Sequence, residues 1–318
     1  FGSSGQEGPL ALFPLYSGHG AAMPWPPRAH QALLLGARGL RRRGFCSALP
    51  SAVDVGRYPI HQPAQCGPLV ERFCGQIARH GYCHLPGFLR REAVAQLIDE
   101  VRTLEAAGRG FRSHEAHNVF LEDGGSAERS LEEGALRAKE FASSKVLIAM
   151  DDMGSSSKLL EVYRWEPLRH FLQAVFGLPE LHRSADELGG AYYNIFDGEF
   201  RDTLGWHFDR SHFSMNLILQ TTPGAGGDFQ YVPDSRPAIA EMERWGEVEE
   251  HIQGRVETPE LSPGSLYLFA GSRSLHQVSP VTQGKRINAI FTYVESKGER
   301  LNEYTLRKFF GRTQARAA

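Results

Sequence analysis

Trp206-His207-Phe208-Asp209-Arg210 is the stretch around which the rest of this chain reads. On an extended strand, residues two apart point to the same face, so His207 and Asp209 project together while Phe208 faces the other way. Two metal ligands are thereby set side by side. A third, His276, stands in Ser274-Leu275-His276-Gln277-Val278, just after Gly264-Ser265-Leu266-Tyr267-Leu268-Phe269, which reads as a buried strand following a Pro-Gly turn. Two imidazoles and one carboxylate form the facial set that holds non-haem Fe(II) and leaves coordination positions open for chemistry. In a chain with 13 histidines a single His-x-Asp carries little weight. The order of the pieces, and the strands that carry them, give it more. Ten residues beyond His276, Arg286 opens another strand, Arg286-Ile287-Asn288-Ala289-Ile290-Phe291-Thr292-Tyr293. Its guanidinium offers a planar fork of donors that fits a carboxylate and does not lose its charge.

With its order and spacing, this combination resembles the Fe(II)/2-oxoglutarate-dependent oxygenases, whose pattern is His-x-Asp, a distal His, and an Arg about ten residues on. The resemblance implies that His207, Asp209 and His276 ligate Fe(II), and that Arg286 binds the far carboxylate of 2-oxoglutarate while the keto-acid end chelates the metal. It implies O2 as co-substrate and ascorbate as an accessory reductant. Tyr192 and Asn194, on one face of a strand, are candidates for contacting 2-oxoglutarate, with core packing an equal alternative. Trp206 and Arg210 are candidates for the substrate side. A free amino acid would need a cation for its carboxylate and an acid for its amine, for which Arg112, Arg210 and Glu199 are available.

The runs GWHFDRSHFSMNLILQ, GGDFQYVPDSR and PGSLYLFAGSRSLHQVSPV narrow the resemblance. They look like the subgroup of carrier-free amino-acid halogenases of the lysine-halogenating type and their hydroxylating relatives, over about residues 66 to 295. Those halogenases have Gly where this chain has Asp209, and the vacated position binds chloride. With the carboxylate present, the resemblance implies hydroxylation of an aliphatic C–H in a small molecule, a free amino acid or a derivative of one.

Three alternatives stay open. A peptidyl-proline hydroxylase shares the catalytic pattern and differs in having an open substrate groove. An alkylated-base demethylase carries a second Arg six residues after the first, where Thr292 stands here. A metal- or sugar-binding jelly-roll module is the non-enzyme reading, and it gives Arg286 no task.

The chain has 318 residues, 41% of them hydrophobic and 23% charged, enough for one large core. A net charge of -2 gives no basic footprint for nucleic acid or an anionic membrane surface. No uninterrupted apolar run approaches the roughly 20 residues needed to span a bilayer. The expected partner is a small-molecule substrate, and the oligomeric state is not written in the sequence. Cys46, Cys66, Cys74 and Cys83 form no Cys-x-x-Cys pair and read as ordinary thiols of a reducing compartment.

Residues 53–318 are expected to form the oxygenase domain. Leu69, Phe73, Ile77 and Ala78 mark a helical face ending at Gly81, Tyr82 to Phe88 a short strand and turn, and Glu92 to Ala107 a stronger helix. Residues 108 to 135 read as a polar loop, with His114 and His117 as solvated histidines. Lys158 to Phe176 is helical, interrupted or restarted at Pro167. From Gly190 onward, short strands follow one another: 191–196, the ligand strand, 213–220, 228–232, 256–261, 266–269, 275–281 and 287–294, with a helical insertion around Ala238 to Gln253. The expected fold class is therefore α+β: a double-stranded β-helix, or jelly roll, with N-terminal helices buttressing one sheet.

Residues 1–52 read differently. From Met23, the segment MPWPPRAHQALLLGARGLRRRGFCSAL holds five arginines and no acid, the composition of an organellar presequence rather than a disordered basic tail. Arg43 lies three residues before Cys46, as in a mitochondrial processing site. The expected location is the mitochondrial matrix or another organelle, or the cytoplasm if the leader is no presequence. N-terminal sequencing of the protein from its source is expected to find a mature start near Cys46; an intact Met23 to Cys46 segment would contradict that.

Overall fold

The computed structural model of the protein describes residues 49–121 and 135–316, so nearly all of the expected leader and Cys46 lie outside the described residues. Helix α1 (Pro63–His80) begins on a proline, where the missing N–H would have no helical partner, and stops at Gly81, whose left-handed φ of 72° lets its amide donate to the Ile77 carbonyl. Its buried face is Cys66, Val70, Phe73, Cys74 and Ile77. Ala78 is exposed and Leu69 only packs at the edge, so the stripe is turned slightly from the expected one. The cysteines bury as small apolar groups, and desolvation pushes the Cys66 and Cys74 thiols up to about 11.

Strand β1 (Tyr82–Leu85) and helix α2 (Arg91–Ala106) follow, close to where the sequence puts them. The expected loop over 108–135 is corrected at its start: Phe111–His117 is strand β2, paired along its whole length with β3 (Phe141–Ile148). β2 borders only β3, and just Ser113 and His117 of it are buried, so it shows no alternating apolar signature. The Lys158–Phe176 stretch divides into α3 (Lys158–Arg164) and α4 (Glu166–Val175), with Pro167 in the first turn of α4.

A short strand β4 (His182–Arg183) precedes β5 (Ala191–Asp197), β6 (Thr203–His207), β7 (Ser214–Gln220) and β8 (Phe229–Val232). The helical insertion is α5 (Arg236–Ile239) and α6 (Trp245–Ile252). No strand forms over 256–261, where a single bridge joins Glu257 to Tyr231. Pro259 has no N–H to offer a ladder, which accounts for the difference. β9 (Leu266–Phe269), β10 (Leu275–Val278), β11 (Lys285–Phe291), β12 (Tyr293–Val294) and α7 (Glu303–Phe310) complete the chain.

The strands run β1-β9-β7-β11-β5-β3-β6-β10-β8 in one curled antiparallel sheet, with β2 on β3 and a separate β12/β4 pair. This is a jelly roll with α1 to α4 packed on one face. β3 is the seam: Ser143 and Ser144 pair with β6, while Val146, Leu147 and Ile148 pair with β5. The two halves of the roll are thus joined on one side by a strand that changes partners at Lys145.

Both faces of the central strands are buried, for different purposes. In β7, Met215, Leu217 and Leu219 face the helical layer and join Phe73, Phe171 and Leu268 in the main core, while Asn216 and Ile218 face into the roll. Phe73 and Phe171 meet edge to face, 5.9 Å between centroids at 90°, and lock α1 to α4. Phe171→Ala is expected to cost about 3–5 kcal/mol through lost burial and an unfilled cavity, read from the urea midpoint with an unchanged slope.

Candidate metal centre

His207 ends β6 and His276 lies directly opposite it on β10, so both imidazoles share one face of the sheet and line the roll's cavity; the register shifts between His276 and Val278. Their ring centroids are 4.1 Å apart. Asp209 lies beyond the end of β6, so the ladder itself does not fix it. Its amide donates to the Gly271 carbonyl at 3.0 Å, and Phe208, fully buried, donates its amide to the Val119 carbonyl at 2.7 Å. The expected alternation therefore survives past the last strand pair: Phe208 goes one way and His207 and Asp209 the other. Asp209 Oδ1 is 3.4 Å from Nε2 of each histidine, and the three ligand atoms lie within 4.8 Å of one another.

Each imidazole is oriented by a backbone carbonyl two residues before it. His207 Nδ1 is 2.7 Å from the Gly205 oxygen and His276 Nδ1 is 2.9 Å from the Ser274 oxygen. A carbonyl can only accept, so each Nδ1 carries the hydrogen and each Nε2 presents a lone pair to the centre. Burial, with His276 beside it, holds the His207 imidazole below its usual range. Burial alone would raise the Asp209 carboxyl, but the two imidazoles outweigh it and hold it well below the usual carboxylate range. Two imidazole nitrogens and one ionised carboxylate oxygen face the centre, with the Asp209 carboxylate still partly open to the cavity. Its other oxygen accepts a short hydrogen bond from Ser214 Oγ and lies over Gly271, where a β-carbon would come within 2.0 Å of it. Glycine is required there for space.

The centre forms part of the wall of a cavity of about 280 Å³. Arg286, 3% exposed, reaches it from β11; its Nη1 donates to the Gly227 carbonyl at 3.1 Å and its Nε has no partner. Burial and the absence of a carboxylate partner among the described residues leave it poised for an anion. Tyr192 and Asn194 line the same cavity, and so does Arg210, which donates to the Leu121 carbonyl. Two expected substrate residues are elsewhere. Trp206 packs with Val119, Leu136 and Phe208 in a second apolar cluster. Arg112 grips Asp202 at 2.9 and 3.2 Å and lies 4.0 Å over the Phe200 ring. Glu199 is exposed on the turn after β5 and is not among the lining residues.

Sequence reading missed His117, Lys145, Ser214 and Lys308, all of which line the cavity. His117 is corrected from a solvated loop residue to a buried one, its ring 5.5 Å from that of His207 and its Nε2 without a partner. Burial pushes its pKa down to about 3. Its spacing from His114 was visible in the sequence, but the β2/β3 pairing that carries it inward was not. Helix α7 brings Lys308 to the cavity, with Lys308 Nζ donating to the Ala116 carbonyl at 2.6 Å and Ser113 Oγ donating to the Lys308 carbonyl at 3.0 Å.

A protein-family model described as Halogenase D matches residues 69–306. No curated protein sequence matches the chain. Among solved structures it is similar to AviO1 from Streptomyces viridochromogenes Tue57, at 13% identity over 73% of this chain and 97% of that one, with a TM-score of 0.50. It is also similar to the non-haem α-ketoglutarate-dependent epimerase SnoN from nogalamycin biosynthesis (17% identity, 72% and 83% covered, TM-score 0.48). A Pseudomonas putida prolyl-4-hydroxylase matches at 17% identity, with 70% and 97% covered and a TM-score of 0.44.

The contact between Gly271 and Asp209 makes a direct test. Gly271→Ala is expected to displace the carboxylate and weaken Co(II) or Mn(II) binding by roughly 10–100-fold, measured by titration calorimetry. Gly246→Ala, where an added β-carbon meets nothing within 4 Å, is expected to leave metal affinity unchanged.

Proposed function

The chain belongs to the Halogenase D family, and from that premise we propose that it is an Fe(II)- and 2-oxoglutarate-dependent dioxygenase that hydroxylates an aliphatic C–H of a small molecule. The observation that carries this reading is Asp209, whose carboxylate completes the ligand set with His207 and His276 at the position where the halogenases that the chain resembles have Gly. The donor set suits Fe(II), being two imidazole nitrogens and one carboxylate oxygen on one side of the centre. The unpartnered Nε of buried Arg286 suits the far carboxylate of 2-oxoglutarate. Once bound, iron, 2-oxoglutarate and O2 supply the oxidising power, with succinate and CO2 as co-products.

The protein's own part is positional. Gly205 and Ser274 carbonyls fix the imidazoles, Ser214 holds Asp209, and Arg286 sets the direction of the keto acid. Tyr267 flanks Arg286, and the Asn216 and Asn288 side chains, joined at 2.9 Å, continue the polar wall. Aromatic rings close much of the rest, which keeps water from competing for the centre. A walled cavity with α7 along it favours a small substrate over the extended peptide of a prolyl hydroxylase. A storage or sugar-binding module would leave the buried charge of Arg286 unexplained.

The basic leader supports a further proposal, that the enzyme works in the mitochondrial matrix. No helix among the described residues is long and apolar enough to cross a membrane.

Purified chain with Fe(II), ascorbate and 2-oxoglutarate is expected to consume O2 and release succinate when a metabolite pool is added, with a product heavier by one oxygen. Asp209→Ala is expected to abolish succinate release with the circular-dichroism spectrum unchanged. Asp209→Gly in the presence of chloride is expected to give a chlorinated product. Wild-type chain that binds iron but neither binds nor decarboxylates 2-oxoglutarate would refute the reading.

A further inference from the structure

The cavity holds a second buried cation that the reading above does not use. Lys145 sits at the seam where β3 passes from β6 to β5, and is 4% exposed. Its Nζ has Ser143 Oγ at 3.4 Å as a polar neighbour, with the Phe309 and Phe196 rings at 4.8 and 6.0 Å. The two carboxylates whose fields reach it are both engaged elsewhere: Asp202 by Arg112, Asp209 by the histidine pair. Among the described residues, Lys145 therefore has no counter-ion.

A buried ammonium without a counter-ion is costly, and protein interiors keep such groups where a ligand supplies the missing charge. Burial draws the Lys145 ammonium down to about 8, still mostly charged at neutral pH. The same reasoning gives Arg286 to the far carboxylate of 2-oxoglutarate, whose other carboxylate goes to the metal, so the co-substrate has no anion left for Lys145. The two cations come from strands on either side of β5: Arg286 on β11 pairs with Phe196, and Lys145 on β3 has its Nζ 6.0 Å from the Phe196 ring. Arg210 and Lys308 bring the positive charges of the lining to four, and Asp209 is the sole acid among the described lining residues.

Resting on the proposed oxygenase reading, we propose that the substrate is a small organic acid whose carboxylate docks on Lys145, apart from the 2-oxoglutarate carboxylate on Arg286. This makes Lys145 a specificity-determining residue: it fixes which end of the substrate lies away from the metal, and hence which carbon faces it. A substrate presenting a cationic amine to this wall is excluded.

The test uses the chain loaded with Zn(II), which is redox-inert, with and without saturating 2-oxoglutarate. Hexanoate, hexylamine and 1-hexanol serve as probes, with binding followed by ligand-observed NMR. The expected result is that hexanoate binds at least tenfold more tightly than the other two and that Lys145→Met removes this preference. Lys145→Arg is expected to retain part of it, and Lys145→Met to leave the 2-oxoglutarate Kd within twofold of wild type. Arg286→Met is expected to do the reverse. Because Lys145→Met relieves an unpaired buried charge, its melting temperature should not fall, so lost binding cannot be assigned to unfolding. Equal binding of the three probes, or retention of the hexanoate preference in Lys145→Met, would overturn the proposal. So would loss of 2-oxoglutarate binding in Lys145→Met alone, which would exchange the roles of the two cations. Absence of 2-oxoglutarate binding by the wild-type chain, with hexanoate still dependent on Lys145, would instead remove the oxygenase reading and leave the acid site standing.

Discussion

Two hydrogen bonds from imidazole to backbone, His207 to Gly205 and His276 to Ser274, are the constraint on which this molecule's chemistry depends. They are short-range, each spanning two residues. By fixing the hydrogen on Nδ1 they leave both Nε2 lone pairs facing one point, and the antiparallel register brings those points together. Asp209 arrives by another route, through the Gly271 backbone and the Ser214 hydroxyl. The centre thus rests on ladder geometry for two ligands and on one close backbone approach for the third.

The outer face of the sheet supplies the stability that this inner face does not. Among the described residues, the roll interior contains a guanidinium and an ammonium without a carboxylate partner and several polar atoms without hydrogen bonds, among them His117 Nε2, Asn194 Oδ1 and Asn288 Oδ1. Each carries a desolvation cost that an apolar residue would avoid. On the opposite face of the same strands, α1, α2, α3 and α4 bury a continuous apolar core with Phe73, Phe171, Leu217 and Leu268. A single strand such as β7 serves both roles, which explains why its sequence, Ser-Met-Asn-Leu-Ile-Leu-Gln, alternates only weakly.

That double burial also explains what the sequence showed and what it concealed. The clustering of His207, Asp209 and His276, with Arg286 on the same cavity, was legible because their chemistry is specific to residue type and their spacing along the chain is short. The strands from 190 onward were legible from apolar runs between turns. β2 and β3 were not, since FRSHEAH and FASSKVLI carry polar residues on the face that looks into the cavity. Lys145 was hidden for the same reason: within a strand of mixed character a lysine reads as solvent-facing, whereas β3 lies between β5 and β6 and turns Lys145, with Leu147, toward the cavity. Trp206 and Arg112 were misplaced because neighbours in sequence to a ligand, or charges on a predicted loop, are pointed by pairings that no local pattern encodes.

Helix α7 adds no rung to the sheet, yet Tyr304, Thr305, Lys308, Phe309 and Phe310 all border the cavity. The surface that meets a guest molecule and the surface that holds the metal are thus written in stretches of sequence far apart. Each can drift without disturbing the other's hydrogen-bonding. Such a division lets one oxidising centre be fitted to different guests by changes in the terminal helix together with the cavity wall it covers.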